Sequence, residues 1–274
     1  MTITTKPYGF KHWKFPGGEI GVKLDPEWLT HPHDVPLAAT IEHRGLVDHE
    51  ELFIIMNLCD AIARATANRK NREPVYLDMP YLPYSRQDRM CHPGESFALA
   101  VFLRAIPSYV RLITTDVHSD VYANINSSEK PYIQNIGQNT VAFETVKKHF
   151  KADWLVGPDE GSTRKINVLS RETFVPYVTL TKTRKEGKVH HEDLTPDTLS
   201  GKVLIVDDIG DGMATFISAA QMLKATQPRI TKLGVMVTHG IFSKGLDILN
   251  GMFDVVYTYN LMNPDVADHP LLAK

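Results

Sequence analysis

Along most of the chain, short apolar runs of strand length alternate with stretches whose apolar positions recur at helical spacing. The runs at 75–79, 110–114, 154–156, 176–180, 203–206, 231–237 and 253–257 predict strands. The 203–206 run is apolar at every position, the pattern of a strand buried on both faces. Helices are predicted at 97–105 and 140–150, from Ser162 and Thr163 onward, from Thr215 onward with Phe216, Ala219, Ala220 and Leu223 on one face, and from Ser243. Another begins after Asp48, an N-cap candidate with Glu51 three positions on, and Leu52, Ile55, Met56, Cys59, Ile62 and Ala63 form its apolar stripe. Residues 1–45 depart from this alternation. They are rich in Gly, Pro and His, and two alternating runs, 19–24 and 37–42, predict strands between loops.

Strand and helix in alternation predict an α/β fold with mostly parallel sheets and right-handed crossovers. The polar, helix-breaking stretch at 126–140 divides it into two similar domains, residues 1–135 and 136–274. Open sheets of this kind bind ligands beyond the carboxyl ends of their strands, so the loops there carry the candidate chemistry.

The segment KVLIVDDIGDGMATF, residues 202–216, reads as strand, loop and helix. Gly210 and Gly212 allow a ligand close to the backbone, and the helix start attracts an anion that Thr215 can also bond. Asp207 and Asp208 only accept hydrogen bonds when ionised, so they suit sugar hydroxyls or a bound Mg²⁺. Together these features describe a ribose-phosphate site. The loop GPDEGSTRK has the same design, with Asp159 and small residues leading to Ser162. After the 75–79 run, two prolines stiffen the approach to Arg86, Gln87, Asp88 and Arg89, whose two guanidiniums form an anion clamp. Asp116 and His118 end the 110–114 run and are candidate metal ligands. Lys182, Arg184 and Lys185 are a solvated basic loop, or, beside a polyphosphate, transition-state stabilisers.

Composition narrows the class of function. The chain has 274 residues, 43% apolar and 23% charged, with a net charge of −2, which gives no global footprint for nucleic acid or membrane. Cys59 and Cys91 lack metal spacing and are expected as reduced thiols. The N-terminus has no apolar signal core and no run approaches membrane-spanning length, so a cytoplasmic protein is expected.

Several separated stretches together resemble the ribose-phosphate diphosphokinases, the phosphoribosyl diphosphate (PRPP) synthetases. YLPYSRQDR is similar to the family's ATP loop, Y-x-x-Y-x-R-Q-D-R/K, TTDVHS to its D-L-H metal loop, and GPDEGSTRK to its pyrophosphate loop. TKTRK resembles the K-x-R catalytic loop, VDDIGDGMAT the ribose-phosphate loop D-D-x-x-D-T-x-G-T, and THGIFSKG the segment T-H-G-I-F-S. FPGGE is a weaker echo of F-S-D-G-E. The matches run in the family's order from about residue 15 to 250.

The resemblance implies two type I phosphoribosyltransferase-like domains and transfer of the β,γ-diphosphoryl group of ATP to a ribose anomeric hydroxyl, releasing AMP. It implies that Arg86, Gln87, Asp88, Arg89 and His118 serve ATP, and that Phe15 and Glu19 contribute to the adenine site across a subunit interface. His118 and Asp159 would ligate Mg²⁺, with Glu160, Gly161 and Ser162 in the pyrophosphate loop. Asp207 and Asp208 would hold the ribose hydroxyls, Asp211, Gly212, Met213, Ala214 and Thr215 its 5′-phosphate, and Lys182 and Arg184 would close over the reacting phosphates. A homodimer or higher homo-oligomer is the implied assembly.

Two departures fall in the ribose-phosphate loop: Gly212 replaces a hydroxyl donor and Ala214 a glycine. They favour an acceptor with a larger 5′ group, ADP-ribose, giving ADP-ribose 1-pyrophosphate for NAD⁺ synthesis, over ribose 5-phosphate giving PRPP. The competing readings are a type I phosphoribosyltransferase, which leaves the Arg86–Arg89 loop unexplained, and a non-catalytic binding relative. The latter is disfavoured because Lys182, Arg184, His118 and Asp159 are all present.

Overall fold

The computed structural model describes residues 3–46, 48–69, 73–125, 130–185, 188–191, 194–195 and 198–273; the side chains of Arg184, Lys185, Lys188 and Val189 fall outside this set. The chain divides into two compact units, Met1–Ile136 and Gly137–Lys274.

The first unit begins with β1 (Ile3–Lys6), a hairpin of β2 (Phe10–Lys14) and β3 (Ile20–Leu24), and the single-turn α1 (Glu27–Thr30). It continues with β4 (Ala39–His43), α2 (His49–Ala65), β5 (Val75–Asp78), α3 (Ala98–Ala105), β6 (Val110–Thr115), α4 (Val121–Asn124) and β7 (Tyr132–Ile136). The sheet order is β1-β4-β5-β6-β7, parallel except for β1. From β4 onward the order follows the chain. Asp48 caps α2 by accepting from the Glu50 N–H at 2.9 Å, an interaction worth about 1 kcal/mol. The helix buries Ile54, Ile55, Leu58, Cys59 and Ile62, while Leu52 and Met56 of the expected stripe are only partly covered. Along β5, Val75 and Leu77 are buried and Tyr76 and Asp78 are not, so this sheet packs mainly one face into a single apolar cluster.

The second unit starts with α5 (Gln138–Glu144), which passes into a π-helical turn at Thr145–His149, then β8 (Trp154–Gly157), a 3₁₀ turn at Glu160–Ser162, α6 (Thr163–Thr173) and β9 (Tyr177–Thr179). A hairpin of β10 (Lys182–Lys185) and β11 (Lys188–His191) follows, then β12 (Gly201–Gly210), α7 (Ala214–Thr226), β13 (Ile230–Gly240) and β14 (Val255–Leu261). The five-stranded sheet is parallel throughout, in the order β14-β13-β12-β8-β9. The chain builds outward from β8 to β9, then continues on the other side through β12. That reversal opens a crevice beyond the carboxyl ends of β8 and β12. Here both sheet faces are covered. Val203 and Ile205 join Phe216, Ala219 and Leu223 in one cluster, and Leu204 and Val206 join Ile166 and Leu169 in another.

Three expectations are corrected. Strand β12 runs on to Gly210, so Asp207 and Asp208 are strand residues, because pairing with β13 continues past the apolar run through Asp207↔Val237 and Gly210↔Gly240. The basic stretch at 182–185 is half of an antiparallel hairpin, not a loop. No helix starts at Ser243: Gly245, at φ 70°, breaks the segment, which leads only to a 3₁₀ turn at Asp247–Leu249. Among the described residues no helix is long and apolar enough to cross a membrane.

Candidate functional site

In the first unit, Arg86, Gln87, Asp88, Arg89, Cys91, Glu95, Ser96 and His118 line one cavity of about 420 Å³ beyond the ends of β5 and β6. The Asp88 carboxylate is buried and accepts from Arg89 Nε at 2.9 Å and from Ser119 Oγ at 2.5 Å. Burial alone would push this carboxyl up, but the bonds from Arg89 and Ser119 and the charges of Arg89 and His118 hold it below the usual carboxylate range. Asp88 therefore ties the β5 loop to the β6 loop, while Arg86 and Gln87 stay exposed. In the β2–β3 hairpin, the Phe15 N–H bonds the Glu19 carbonyl at 2.8 Å, and Phe15 is about half exposed with Trp13 edge-on to it at 5.8 Å.

In the second unit, the neighbouring carboxylates of β12 lie near the strand's carboxyl end. Asp208 meets Lys165 Nζ of α6 at 3.1 Å. The Asp207 carboxyl is pushed well up, first by burial and then by the charges of Asp208 and Asp159. Asp159 itself is ion-paired with Lys182 of β10. Ser162 is buried and donates to the Asp159 carbonyl at 2.6 Å, closing the turn that presents Glu160 and Gly161, both exposed. His191 of β11 meets the Pro158 carbonyl at 2.7 Å and Ser218 Oγ at 3.0 Å.

At the start of α7, Met213 is buried in a left-handed conformation at φ 56°, and Asp211 accepts from Ser243 Oγ at 2.6 Å. Gly210 is fixed by packing rather than by a ligand: a side chain there would come within 3.0–3.1 Å of Met213, Phe242 and Val237. Gly212 is different, since its nearest neighbour is the stem of Lys244 at 3.7 Å. Ala214 is exposed and Thr215 partly so. Four of the six non-glycine residues described at positive φ lie at strand-end turns: Tyr84, Asp116, Met213 and Phe242.

No family model matches the chain. It is 28% identical over 265 residues to the ribose-phosphate pyrophosphokinase of Methanopyrus kandleri, covering 92% of this chain and 83% of that protein. The Pyrococcus abyssi protein of the same name is 26% identical over 238 residues, covering 85% and 76%. Over most of its length the chain is thus similar to proteins named ribose-phosphate pyrophosphokinase. Among solved structures, the phosphoribosylpyrophosphate synthetase of Mycobacterium smegmatis superposes with a TM-score of 0.74 at 18% identity, over 97% of this chain and 85% of that one, which is agreement in fold.

The structure thus gathers Arg86, Gln87, Asp88, Arg89 and His118 around one cavity, and links Asp159 with Lys182 and Asp207 with Asp208. The Arg184 side chain lies outside the described residues. No three His, Cys, Asp or Glu groups among the described residues form a metal cluster. Mg²⁺ does not require one, since it retains waters and binds one or two carboxylates plus substrate phosphates. The Asp159 carboxylate already holds a cation, the Lys182 ammonium, so the residues present fit the ion. Sequence reasoning missed Lys165, Ser119, His191 and Lys244. Each acts across elements distant in sequence, and no local spacing announces such a contact.

Proposed function

We propose that the chain transfers the β,γ-diphosphoryl group of ATP to the anomeric hydroxyl of a ribose 5-phosphate-type acceptor. The hydroxyl oxygen bonds to the β-phosphorus, the bond from that phosphorus to the α,β-bridging oxygen breaks, AMP leaves with that oxygen, and the hydroxyl proton passes to solvent. The observation that carries this reading is the charge arrangement at the switch point of the second unit. There a carboxylate pair suited to a diol, Asp207 and Asp208, lies within electrostatic reach of the Asp159–Lys182 ion pair.

In this reading Arg86, Gln87 and Arg89 bind ATP, Asp88 and Ser119 hold their loop, and Phe15 and Glu19 serve the adenine. Lys182, together with Arg184, neutralises charge on the reacting phosphates; to do so Lys182 exchanges Asp159 for substrate oxygens. His118 in the first unit and Asp159 in the second would each offer a ligand for Mg²⁺, which when bound shields phosphate charge. Asp211 to Thr215 hold the acceptor's 5′ end, and the assembly is a homodimer.

The acceptor we favour is ADP-ribose. Gly212 leaves room at α7, and the nearby Lys244 brings a cation toward a second phosphate. The test is AMP release from ATP and Mg²⁺ with ribose 5-phosphate or ADP-ribose as acceptor. Faster turnover on ADP-ribose is expected. Turnover on ribose 5-phosphate alone removes the larger acceptor, and no AMP with either removes the reaction.

A further inference from the structure

Among the described residues, the hairpin that carries Lys182 pairs with no strand of the five-stranded sheet, and side-chain contacts hold it in place. Two of them converge on one short segment. Lys182 stands directly opposite His191 in the hairpin register. The Lys182 ammonium pairs with the Asp159 carboxylate, and His191 Nε2 lies 2.7 Å from the carbonyl of Pro158, the preceding residue. A carbonyl only accepts, so Nε2 carries the proton and Nδ1 is left to accept from Ser218 Oγ of α7 at 3.0 Å.

One imidazole therefore joins three pieces: the hairpin, the Pro158–Asp159 turn after β8, and the helix after the Asp207–Asp208 strand. The contact to Asp159 cannot hold the hairpin during turnover, because on the proposed reaction Lys182 must give up that partner to substrate. The contacts of His191 involve no group that has to exchange.

We propose that His191 is a positioning residue that keeps the β10–β11 hairpin docked over the Pro158–Asp159 turn, so that Lys182 stays in reach of the phosphates when it leaves Asp159. The inference rests on the proposed diphosphoryl transfer for its kinetic consequence, but not for its structural one. A displacement of about 1 Å in a positioned group costs on the order of a hundredfold in rate, so an undocked hairpin lowers kcat with little change in KM.

The experiment compares His191→Gln, His191→Asn and His191→Phe in the full chain. The Gln amide reaches the Nε2 position and can donate to Pro158, Asn reaches only the Nδ1 position, and Phe keeps the ring without either bond. We expect His191→Gln to retain kcat within about threefold of the parent, and Asn and Phe to lose about thirtyfold or more at nearly constant KM for ATP and acceptor. In a Lys182→Ala background the same substitutions should cost almost nothing more, since the residue acts through Lys182.

Limited trypsin digestion reads the docking without any substrate. Cleavage at the hairpin's Lys and Arg residues should accelerate in Asn and Phe but not in Gln, with the rest of the pattern unchanged. Equal kcat and equal hairpin cleavage in Gln and Asn would overturn the proposal. If the parent releases no AMP with any acceptor, the reaction is refuted, and the cleavage comparison still decides the clasp.

Discussion

The two units each build a five-stranded sheet with charged loops at strand ends, yet they handle charge in opposite ways. In the first unit a carboxylate is the scaffold: Asp88 is buried, held below the usual range and engaged by Arg89 and Ser119, and the exposed groups are Arg86, Gln87 and Arg89. In the second unit cations answer the carboxylates, as Lys165 meets Asp208 and Lys182 meets Asp159, while Asp207 is pushed well up in a crowd of like charge. The first arrangement is satisfied without a ligand and offers positive charge to an anion. The second crowds carboxylates together, which a bound cation would ease. Sheet topology underlies the contrast. Strand order reverses between β8 and β12, which concentrates two strand ends at one crevice, whereas β4 to β7 run in sequence and their loops have to be tied together by side chains.

Kinetics should show the largest difference. Lys182→Ala is expected to lower kcat by about a hundredfold or more with little change in KM for ATP, because in the proposed reaction its charge is needed most in the transition state. Arg86→Ala, by contrast, should raise KM for ATP by about tenfold, the loss of one charge-assisted contact, and lower kcat less. Steady-state AMP release measures both, and equal effects on kcat would erase the distinction between a binding unit and a reacting unit.

Stability should separate the two acidic positions by sign. Asp207→Asn removes a carboxylate that burial and its neighbours disfavour, so the ligand-free protein should melt about 2–4 °C higher while losing acceptor turnover. Asp88→Asn breaks satisfied bonds, so it should melt lower by a similar amount, about 2–4 °C. Differential scanning calorimetry at neutral pH reads both; a rise in each would mean that Asp88 is not the anchor of its loop.

The pH dependence follows the same logic. The Asp88 pKa is lower in the folded chain, so its stabilising contribution is present above the ordinary carboxylate value and is lost as pH falls through the folded one. His43 of the first unit and His191 of the second are both held below the ordinary imidazole range, chiefly by burial. The unfolded chain then binds more protons, so stability declines as pH falls below about 6.5. His43→Gln should flatten that decline slightly in denaturant titrations between neutral and mildly acid pH, the smallest of these effects; an unchanged slope would place the acid sensitivity elsewhere.

Hydrophobic periodicity was enough to place nearly every parallel strand and α2, α3, α6 and α7, since burial on one or two faces imposes the spacing directly. It was weakest in residues 1–45, where β1 and β2 carry exposed, mixed side chains, and at Ser243, where Gly245 stops a helix that the pattern alone allowed. The candidate site was legible as residue types at strand ends: Arg86 to Arg89, Asp159 and the Asp207–Asp208 pair could be named before any contact was known.

The amino-acid order by itself determined the strand–helix alternation, the strand-end chemistry and the family resemblance, because each is encoded in neighbours a few residues apart. Only the tertiary structure decided what each charge does. Whether a carboxylate is an anchor like Asp88 or a crowded group like Asp207, and whether Gly210 serves packing or a ligand, depends on partners that strand pairing and packing bring in from tens of residues away: Ser119 for Asp88, Asp159 for Asp207, Phe242 and Val237 for Gly210.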